Sequence, residues 1–369
     1  MMTTMQPRPR RVHVLGLGSI GSFAAHSLAE VPYPLTPSVT LLLHRSSLVG
    51  QYMKNESRIT LETRDGEIID HSNFNLEVLE DSKWHGVSPT SEPESVASTV
   101  REDIIDHLVV SVKGAQTVAA LQPLKHRLNS SSHILFLQNG SGMMEEVSEK
   151  IFPDPQTRPN YITGVISHGV TLNSPFNITH TGFAATSLGL VPRSESTPSN
   201  SEKGAASSYL LEALPLVPRF NAIAYSFLDV FQMQLEKLSV NAFCNPLCAL
   251  NNAKNKFLFT IPEIRKALLT EISTVIQGLP ELQGLEGVTS RFALEKLEST
   301  VNAILIKTAE TTCSMVVDLR QGRKTEIKFI NGYWCRRARE VGIPTPINDS
   351  LVRQVLERQG DSELAKEYL

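Results

Sequence analysis

Three polar side chains recur at every fourth residue in the segment from position 237 to position 245, Lys-Leu-Ser-Val-Asn-Ala-Phe-Cys-Asn. If this segment is helical, Lys237, Asn241 and Asn245 lie along one side of the helix, where one ammonium and two carboxamides form a polar stripe. The neighbouring residues are mostly apolar, as in a buried helix. Because buried polar groups need hydrogen-bonding partners, we expect the polar stripe to face a cavity that binds a ligand rich in oxygen atoms.

A glycine-rich turn near the N-terminus indicates the other reactant. Residues 11–15 read as a strand and residues 23–30 as a helix, with a GxGxxG pattern between them. In this pattern the first glycine permits a tight turn, the second allows a pyrophosphate to approach, and the third lets the helix pack on the strand. The N-terminus of the helix then favours an anion. The predicted dinucleotide-binding residues are Gly16, Leu17, Gly18, Ser19, Ile20 and Gly21. A glycine-rich turn without a ligand is the alternative interpretation of this motif alone.

The end of the second predicted strand indicates which dinucleotide binds. Residues 39–43 form an apolar run typical of a buried parallel strand, and the next three residues are His-Arg-Ser. NAD-selective enzymes usually place an acidic residue here to bind the ribose 2′-hydroxyl. Arg45 is instead suited to pair with a 2′-phosphate, which favours NADP. A proline-rich insert at residues 32–37 lengthens the usual spacing. The alternative is that Arg45 is a solvated loop residue.

Polar residues follow two further predicted strands. Residues 107–112 are followed by Lys113 and Gln116, and residues 133–137 are followed by Gln-Asn-Gly, which contains Asn139. Ligands of open α/β sheets bind beyond the carboxyl ends of the strands, so we expect these side chains to overhang one crevice. The Asn-Gly dipeptide by itself is equally typical of a simple turn.

The order of these motifs resembles that of the ketopantoate reductases (2-dehydropantoate 2-reductases) over residues 11–357. Two C-terminal motifs contribute most to the resemblance: Lys-Leu-x-Val-Asn-x-x-x-Asn-Pro-Leu, and Ser-Met-Val-Val-Asp-Leu-Arg-Gln-Gly-Arg-Lys-Thr-Glu-Ile. Both are more specific than the glycine-rich turn, because several spaced identities must coincide in order. The resemblance implies an α/β fold in which a Rossmann-type dinucleotide-binding domain precedes an all-helical domain.

By this resemblance, Lys237 is the general acid that protonates a carbonyl oxygen while NADPH delivers hydride to the carbonyl carbon of a 2-oxo acid. The chemistry of the side chain agrees with this role. An ammonium beside the carbonyl oxygen stabilises developing alkoxide charge, and partial burial lowers the pKa of a lysine toward working pH.

The resemblance also implies roles for the other polar residues of the two C-terminal motifs. Asn241 and Asn245 match residues that hold the oxygens of the substrate, and Ser314 matches the residue that contacts its carboxylate. Glu326 matches a catalytic residue that positions the substrate or the lysine and also borders the cofactor. Asn139 matches a residue shared between cofactor and substrate. A purely structural role is the alternative for Ser314 and Glu326, because most buried polar side chains serve only the fold.

We therefore predict an NADP-binding Rossmann-type domain at residues 1–228 and a helical substrate and dimerisation domain at residues 229–369. The predicted reaction is the NADPH-dependent reduction of 2-dehydropantoate to pantoate, a step of pantothenate and coenzyme A biosynthesis. One alternative is a reductase or dehydrogenase acting on another pair of 2-oxo acid and D-2-hydroxy acid. A second is a non-catalytic dinucleotide-binding interaction protein, which the intact Lys237 and Glu326 disfavour. The expected partners are a small 2-oxo acid and a second copy of the chain.

The composition excludes several other classes of protein. The chain has 369 residues, 41% hydrophobic and 20% charged, with a net charge of −3. These values exclude a disordered or nucleic-acid-coating protein. No apolar run has the length of a membrane span, and no signal-peptide core is present near the N-terminus, so we expect no membrane partner and a cytoplasmic location. Arg8, Arg10 and Arg11 resemble a short stub of a transit peptide, which would indicate mitochondria.

The cysteines and histidines indicate a reducing compartment and no metal site. The four cysteines, Cys244, Cys248, Cys313 and Cys335, include no CxxC pair, and we expect them to be free packing residues. Cys244 and Cys248 are spaced to meet a metal ion, but no histidine at a suitable spacing joins them. The ten histidines are scattered along the sequence.

Caps and apolar spacing predict further helices at residues 262–278, 289–310, 325–341 and 349–359. The apolar face of the third predicted helix is typical of a core or a dimer interface. Pro246 is expected to bend the helix of the polar stripe just after Asn245. Loops are expected at residues 192–204, 252–259 and 278–287, and the first of these should be mobile because it is rich in serine and proline.

Overall fold

The computed structural model describes residues 10–87, 99–193 and 208–368. The contacts divide the chain into two compact units. Unit 1 consists of Met1–Gln138 and Met143–Val230, and unit 2 consists of Asn139–Gly142 and Phe231–Leu369. The short segment Asn139–Gly142 therefore packs with the C-terminal part of the chain. The predicted division into two functional domains at residues 228 and 229 stays a prediction. The N-terminal arginine stub up to residue 9 and most of the predicted loop at 192–204 lie outside the described residues.

The strands of unit 1 form two sheets within the described residues. They are β1 (Arg11–Leu15), β2 (Ser38–Leu43), β3 (Arg58–Thr63), β4 (Ile68–Ser72), β5 (Asn75–Glu80), β6 (Lys83–Val87), β7 (Thr99–Val100), β8 (His107–Val110), β9 (His133–Phe136), β10 (Asn160–Ile166), β11 (Gly169–Ser174), β12 (Asn177–Gly182), β13 (Thr186–Leu190) and β14 (Ala222–Ala224).

The larger sheet has the strand order β14-β13-β10-β9-β8-β1-β2-β5-β6-β7. Its six central strands are parallel to one another, in the order β5, β2, β1, β8, β9 and β10. In chain order these six strands are arranged 3-2-1-4-5-6, which is the Rossmann arrangement. The predicted α/β fold is therefore confirmed. The order in which successive strands are added to the sheet reverses between β1 and β8, and dinucleotides bind at this switch point in the Rossmann fold.

The smaller sheet, with the order β11-β12-β3-β4, was not predicted from the sequence. Helix α1 (Ser19–Ala29) packs against both sheets, since it contacts β1 and β2 of the larger sheet and β3, β11 and β12 of the smaller one. Every residue of α1 from position 21 to position 28 is buried. A helix covered on all sides needs no polar face, and the sequence of α1 accordingly shows little amphipathic pattern.

The remaining α-helices of unit 1 are short and connect the strands. They are α2 (Ser47–Lys54), α3 (Thr117–Leu121), α4 (Met143–Lys150) and α5 (Tyr209–Ala213). Short 3₁₀ helices lie at Gly114–Gln116, Gln122–Arg127 and Leu214–Leu216.

Unit 2 is helical throughout its described residues, as predicted for the C-terminal part of the chain. Its α-helices are α6 (Phe227–Leu250, whose first turn belongs to unit 1), α7 (Pro262–Gly278), α8 (Val288–Arg291), α9 (Leu294–Thr308), α10 (Ser314–Arg320), α11 (Asn331–Glu340), α12 (Pro346–Arg358) and α13 (Ser362–Ala365). Its 3₁₀ helices are Asn255–Thr260, Pro280–Leu282, Ile327–Phe329 and Lys366–Tyr368. No helix of the described residues is both long and apolar enough to cross a bilayer.

Two of the predicted helices are interrupted in the structure. The prediction of one helix over residues 289–310 is wrong, because the chain breaks between α8 and α9, where the carbonyl of the buried Phe292 accepts a 2.6 Å hydrogen bond from Ser273 Oγ. The predicted helix over 325–341 begins only at α11, after a 3₁₀ turn and a break at Ile330. Short 3₁₀ turns also occupy parts of the two loops predicted at 252–259 and 278–287.

Candidate functional site

The glycine-rich turn has the strand-turn-helix context that the sequence predicts. Gly16 follows β1 with φ of +96°, and a Cβ at this position would lie 2.6 Å from the backbone nitrogen of Val112. A Cβ on Gly21 would collide with the Gly16 carbonyl oxygen. Both positions therefore accept only glycine, the first for its backbone conformation and the second for the close packing of α1 on β1.

Gly18 differs from these two glycines because it is exposed and a Cβ on it would meet no atom within 4 Å. It is the N-cap of α1, and since glycine has no side chain, no side chain caps the first turn of the helix. The free N–H groups of that turn and the open space beside them fit the phosphates of a dinucleotide. Ser19 begins the helix, and the side chains of Leu17 and Ile20 pack against the core of unit 1.

The other predicted cofactor residues of unit 1 follow neighbouring strands. Leu15 pairs with Leu42 of β2 and with Val110 of β8, so the residues after these three strands meet at one edge of the sheet. Arg45 is exposed there, and its guanidinium makes no hydrogen bond or ion pair with any described residue. Burial and the positive charge of Arg45 lower the pKa of the adjacent His44.

Lys113 and Gln116 flank a 3₁₀ turn just after β8. The backbone N–H of Gln116 donates to the carbonyl of Lys113 at 2.8 Å, and the Gln116 side chain is exposed. Gln138, the first residue of the Gln-Asn-Gly motif, is a positioning residue that was not predicted from the sequence. Gln138 Nε2 donates to the Val112 carbonyl at 2.8 Å and to Thr117 Oγ1 at 2.6 Å. Gln138 thus fixes the end of β9 to the turn that carries Lys113 and Gln116.

In unit 2 the structure brings together three predicted site residues from distant parts of the sequence. Lys237, on α6, donates a 2.9 Å hydrogen bond from Nζ to Asn139 Oδ1. Burial lowers the pKa of Lys237 to about 8, while the negative charge of the buried Glu326 acts in the opposite direction. The ammonium therefore remains the main form at neutral pH but loses its proton far more readily than an exposed lysine.

Asn139 is held in unit 2 by the residues that follow it. Gly140 has φ of +89°, and a Cβ on it would lie 2.6 Å from the carbonyl oxygen of Phe329. The backbone N–H of Ser141 donates to that same carbonyl at 2.8 Å. Since Phe329 lies one turn after Glu326, this packing places Asn139 and Glu326 in one substructure. The Asn-Gly dipeptide is therefore more than a simple turn, because Gly140 also permits a close backbone contact.

A second set of hydrogen bonds holds the backbone before Glu326, and the sequence analysis assigned no role to its members. The N–H and the hydroxyl of Thr325 both donate to Gln359 Oε1 at 2.9 Å. Arg323 donates two hydrogen bonds to Oδ1 of the buried Asp318, at 2.7 and 2.9 Å. Asp318 and Arg323 belong to the second C-terminal motif, whereas Gln359 lies beyond it, which is why only the structure reveals its contact.

The two asparagines of the polar stripe have carboxamides that are not used by the fold. Asn245 is buried and Asn241 is half-buried, and neither carboxamide makes a hydrogen bond within the described part of the chain. Cys313 Sγ lies 3.8 Å from the backbone carbonyl oxygen of Asn245, which places the next residue, Ser314, beside the stripe. Ser314 is exposed at the first position of α10. All three side chains remain available to a ligand.

Helix α6 continues through Pro246 to Leu250. Proline has no N–H, so the carbonyl of Ala242, four residues earlier, loses its helical partner. The buried Asn331 replaces it, because Asn331 Nδ2 donates to the Ala242 carbonyl oxygen at 2.9 Å and also to Asn348 Oδ1 at 3.0 Å. The bend expected after Asn245 stays a prediction. The helical hydrogen bond that Pro246 cannot make to Ala242 is replaced by the hydrogen bond from Asn331.

Two family profiles match most of the chain. The profile of the family ketopantoate reductase PanE/ApbA matches residues 12–193, and the profile of its C-terminal part matches residues 229–359. The chain belongs to the ketopantoate reductase family. The members of this family are oxidoreductases that depend on a nicotinamide dinucleotide.

Curated ketopantoate reductases and related enzymes share about a quarter to a third of their residues with the chain. A 2-dehydropantoate 2-reductase of Vibrio cholerae is 32% identical, over 68% of this chain and 76% of its own. A probable 2-dehydropantoate 2-reductase of Schizosaccharomyces pombe is 26% identical, over 95% of this chain and 96% of its own. The ketoisovalerate reductase BEA2 of Gibberella fujikuroi is also 26% identical, over 88% of this chain and 77% of its own.

Solved structures share the fold of the chain at lower identity. A ternary structure of D-mandelate dehydrogenase with NADH and anilino(oxo)acetate has a TM-score of 0.70 at 20% identity, over 96% of this chain and 99% of the other. A PanE/ApbA family ketopantoate reductase from Ralstonia eutropha has a TM-score of 0.70 at 18% identity, with the same coverage. A dimeric ketopantoate reductase from Staphylococcus aureus has a TM-score of 0.65 at 18% identity, over 95% of this chain and 99% of its own.

Proposed function

We propose that the protein reduces 2-dehydropantoate to pantoate with NADPH, a step of pantothenate and coenzyme A biosynthesis. The observation that carries this proposal is the hydrogen bond between Lys237 Nζ and Asn139 Oδ1, beside a buried Glu326 and a stripe of unused carboxamides. This arrangement combines a proton donor with hydrogen-bonding groups for a small oxygen-rich molecule. A non-catalytic dinucleotide-binding protein would have no need of a lysine whose pKa is lowered to about 8.

The side chains of unit 2 supply the acid and the binding groups of the reaction. When bound, the nicotinamide cofactor supplies the hydride that the carbonyl carbon accepts. Lys237 donates its Nζ proton to the carbonyl oxygen, so that the oxo group becomes a hydroxyl and the lysine becomes a neutral amine. Before that transfer, the ammonium stabilises the negative charge that develops on the oxygen. Asn139 accepts a hydrogen bond from Nζ and so orients the remaining protons of the ammonium.

Glu326 positions Lys237 electrostatically. Its carboxylate is buried in unit 2 and raises the pKa of Lys237 against the effect of burial. The charge balance between the two groups therefore keeps the lysine protonated at neutral pH while leaving the proton transferable. Asn241 and Asn245 are assigned to the oxygens of the substrate, and the Ser314 hydroxyl to its carboxylate.

NADP is the proposed cofactor because of the charge at the end of β2. Arg45 is exposed, has no partner among the described residues, and has no acidic neighbour in the His-Arg-Ser segment. An acidic residue that would bind a ribose 2′-hydroxyl is thus replaced by a group that binds a 2′-phosphate. The D-mandelate dehydrogenase of similar fold was solved with NADH, so the fold by itself does not select the cofactor.

We also propose that the chain forms a homodimer through unit 2 and that the predicted domains at 1–228 and 229–369 bind cofactor and substrate, respectively. The apolar face expected on residues 325–341 is buried within unit 2 and serves its core. Ile264 of α7 and Ile306 of α9 are instead exposed, and α7 packs against α9. The similar fold from Staphylococcus aureus is dimeric. The molar mass in light scattering would be twice that of the chain if this proposal holds.

Another 2-oxo acid is the main alternative substrate, because one relative is a ketoisovalerate reductase. Ketoisovalerate lacks the hydroxymethyl group of 2-dehydropantoate and is otherwise similar in shape. The deciding experiment measures kcat/KM with NADPH for 2-dehydropantoate, ketoisovalerate and phenylglyoxylate, the oxo acid that corresponds to mandelate. We expect the highest value for 2-dehydropantoate. A higher value for either of the other acids would overturn the substrate assignment, and no activity with all three would overturn the reductase assignment.

A further inference from the structure

Three side chains with metal-binding atoms converge in unit 1, in a cluster that the proposed reaction does not use. His26 and Glu30 lie one turn apart on α1, and His71 lies on β4, the edge strand of the smaller sheet. Glu30 Oε1 lies 3.5 Å from His26 Nδ1 and 3.6 Å from His71 Nε2. The ligand atoms of all three residues lie within 4.8 Å of one another. The sequence predicted no metal site because these histidines are 45 positions apart, and only the fold brings them together.

The environment of His26 leaves one ring nitrogen without a proton. His26 Nε2 lies 3.1 Å from the carbonyl oxygen of Ile69, and since a carbonyl oxygen only accepts hydrogen bonds, Nε2 carries the proton. His26 is fully buried, and burial disfavours the charged, doubly protonated form of the ring. The fully buried Nδ1 then presents a lone pair toward Glu30 and has no hydrogen-bond partner among the described residues.

His71 Nε2 faces the same carboxylate oxygen of Glu30, at 3.6 Å. Its Nε2 is buried and also has no hydrogen-bond partner within the described part of the chain. The two imidazole rings meet edge to face, with centroids 4.4 Å apart. Two imidazole nitrogens and a carboxylate oxygen thus lie close together in a small volume. Imidazole nitrogen and carboxylate oxygen are the atoms with which proteins bind divalent zinc.

The two separations from Glu30 Oε1 match those of ligand atoms around one zinc ion. Zinc binds histidine nitrogen and carboxylate oxygen at about 2.0–2.2 Å in a tetrahedral arrangement, which places neighbouring ligand atoms about 3.4 Å apart. The observed distances from Glu30 Oε1, 3.5 and 3.6 Å, are close to this value. A histidine that binds a metal usually donates its other ring N–H to a carboxylate or a backbone carbonyl, as His26 Nε2 does to the carbonyl of Ile69.

An adjacent cavity gives access to the cluster. It has a volume of about 280 Å³ and is lined by residues that include His71, Asp70, Asn73 and Thr36. The polar lining suits water, which would supply a fourth ligand and a path for the ion.

We propose that His26, Glu30 and His71 bind a divalent zinc ion that joins the C-terminal turn of α1 to edge strand β4. This site lies in the half of α1 remote from the glycine-rich turn, and its role is structural. The proposal is independent of the reductase function.

Arg219 carries a positive charge next to the proposed ligand Glu30. Its Nε lies 3.2 Å from Glu30 Oε1, so its positive charge opposes a cation bound to the same carboxylate. If the ion binds to Glu30, removal of this charge must strengthen binding. A cluster that exists only as an ion pair with Arg219 would instead lose its order in the same variant.

The experiment titrates the purified full-length chain, first freed of metal with a chelator, with Co²⁺ and then displaces it with Zn²⁺. We expect one equivalent of Co²⁺ with visible absorption bands of four- or five-fold coordination, and displacement by zinc. His71→Gln and Glu30→Gln should each weaken binding at least about tenfold, whereas Arg219→Gln should tighten it at least about twofold. The control is His126→Gln, which alters an exposed histidine that lies outside the cluster and pairs with Glu102 at 3.1 Å.

Melting temperatures separate loss of metal binding from loss of the fold. Zinc should raise the melting temperature of the native chain and of His126→Gln but not that of His71→Gln, while the chelator-treated forms of all three should melt within a few degrees of one another. The proposal is overturned if the native chain binds no Co²⁺, or if Co²⁺ binding is the same in His71→Gln and Glu30→Gln as in the native chain. Weaker binding in Arg219→Gln would also overturn it.

Discussion

Lys237 and Asn139 lie 98 residues apart in the sequence and are joined by a 2.9 Å hydrogen bond from Nζ to Oδ1. The bond forms because segment Asn139–Gly142 leaves the sheet unit and packs with the helices of unit 2. The acceptor, Asn139 Oδ1, is neutral. It therefore orients the ammonium of Lys237 without raising the pKa of the lysine, as a second carboxylate would. Glu326 supplies a negative charge that raises the pKa of Lys237. The proton donor is thus oriented by one residue and tuned by another.

The pH dependence of the reaction should report the pKa of Lys237. The acid form is the ammonium, so kcat for reduction should fall as pH rises through about 8, the value to which burial lowers this pKa. Oxidation of the hydroxy acid should increase over the same range, because it needs the neutral amine. Steady-state rates between pH 6 and pH 10 in both directions provide the measurement, with about a tenfold change per pH unit on the limiting side.

Glu326→Gln serves as the companion variant. Because Glu326 raises the pKa of Lys237, its removal should move the falling limb of reduction to lower pH. An unchanged limb in this variant would show that the titrating group is not Lys237.

Asn241→Ala and Asn245→Ala should each weaken substrate binding more than cofactor binding. Their carboxamides make no hydrogen bond within the described residues, so truncation removes no hydrogen bond of the fold. Each lost hydrogen bond to the substrate should cost on the order of 1–3 kcal/mol, seen as a higher KM or lower kcat for the 2-oxo acid. NADPH affinity from fluorescence titration is the control. A larger loss there than in kcat/KM for the substrate would refute the assignment of the two residues.

Arg45→Ala should raise the KM for NADPH with little effect on that for NADH, since only NADPH carries the 2′-phosphate. The exposed side chain makes no ion pair with any described residue, so the fold should not change. The measurement is kcat/KM for NADPH and for NADH, in Arg45→Ala and in the native chain. His126→Ala is the control, because it removes another exposed, nitrogen-bearing side chain that lies outside the predicted cofactor residues. Equal losses with NADPH and NADH would contradict the proposed role.

Asn331→Ala should destabilise the chain by about 1–3 kcal/mol, because it leaves the Ala242 carbonyl without a partner inside unit 2. The double variant Asn331→Ala with Pro246→Ala should recover part of this loss, since an alanine at position 246 has the N–H that a helix donates to Ala242. Urea unfolding of the four members of this cycle measures the coupling. Additive effects would show that Asn331 does not compensate for Pro246.

Local patterns predicted those parts of the fold that depend on neighbouring residues. The strand, turn and helix around Gly16 and Gly21 are one continuous segment, and the bounds of α7 follow from Pro262 at its start and Gly278 at its end. The polar stripe on α6 was predictable for the same reason, because the spacing of three polar residues is a property of one helix.

Long-range pairings could not be predicted in this way. Strand β3 pairs with β12, more than a hundred residues later, and the half-buried alternation of β3 and β4 does not identify their partners. The contacts of Asn139 with Lys237 and of Asn331 with Ala242 likewise depend on tertiary packing. The cluster of His26, Glu30 and His71 appears only when β4 is placed beside α1.

The most direct test of the proton-donor role is kcat for the reduction of 2-dehydropantoate by NADPH in Lys237→Ala and Lys237→Arg. We expect Lys237→Ala to lower kcat by about a hundredfold or more, the usual scale for loss of a general acid, with NADPH binding near normal. Lys237→Arg should remain strongly impaired, because a guanidinium keeps the charge but does not release its proton. Full activity of Lys237→Ala would contradict the central claim that this lysine protonates the carbonyl oxygen.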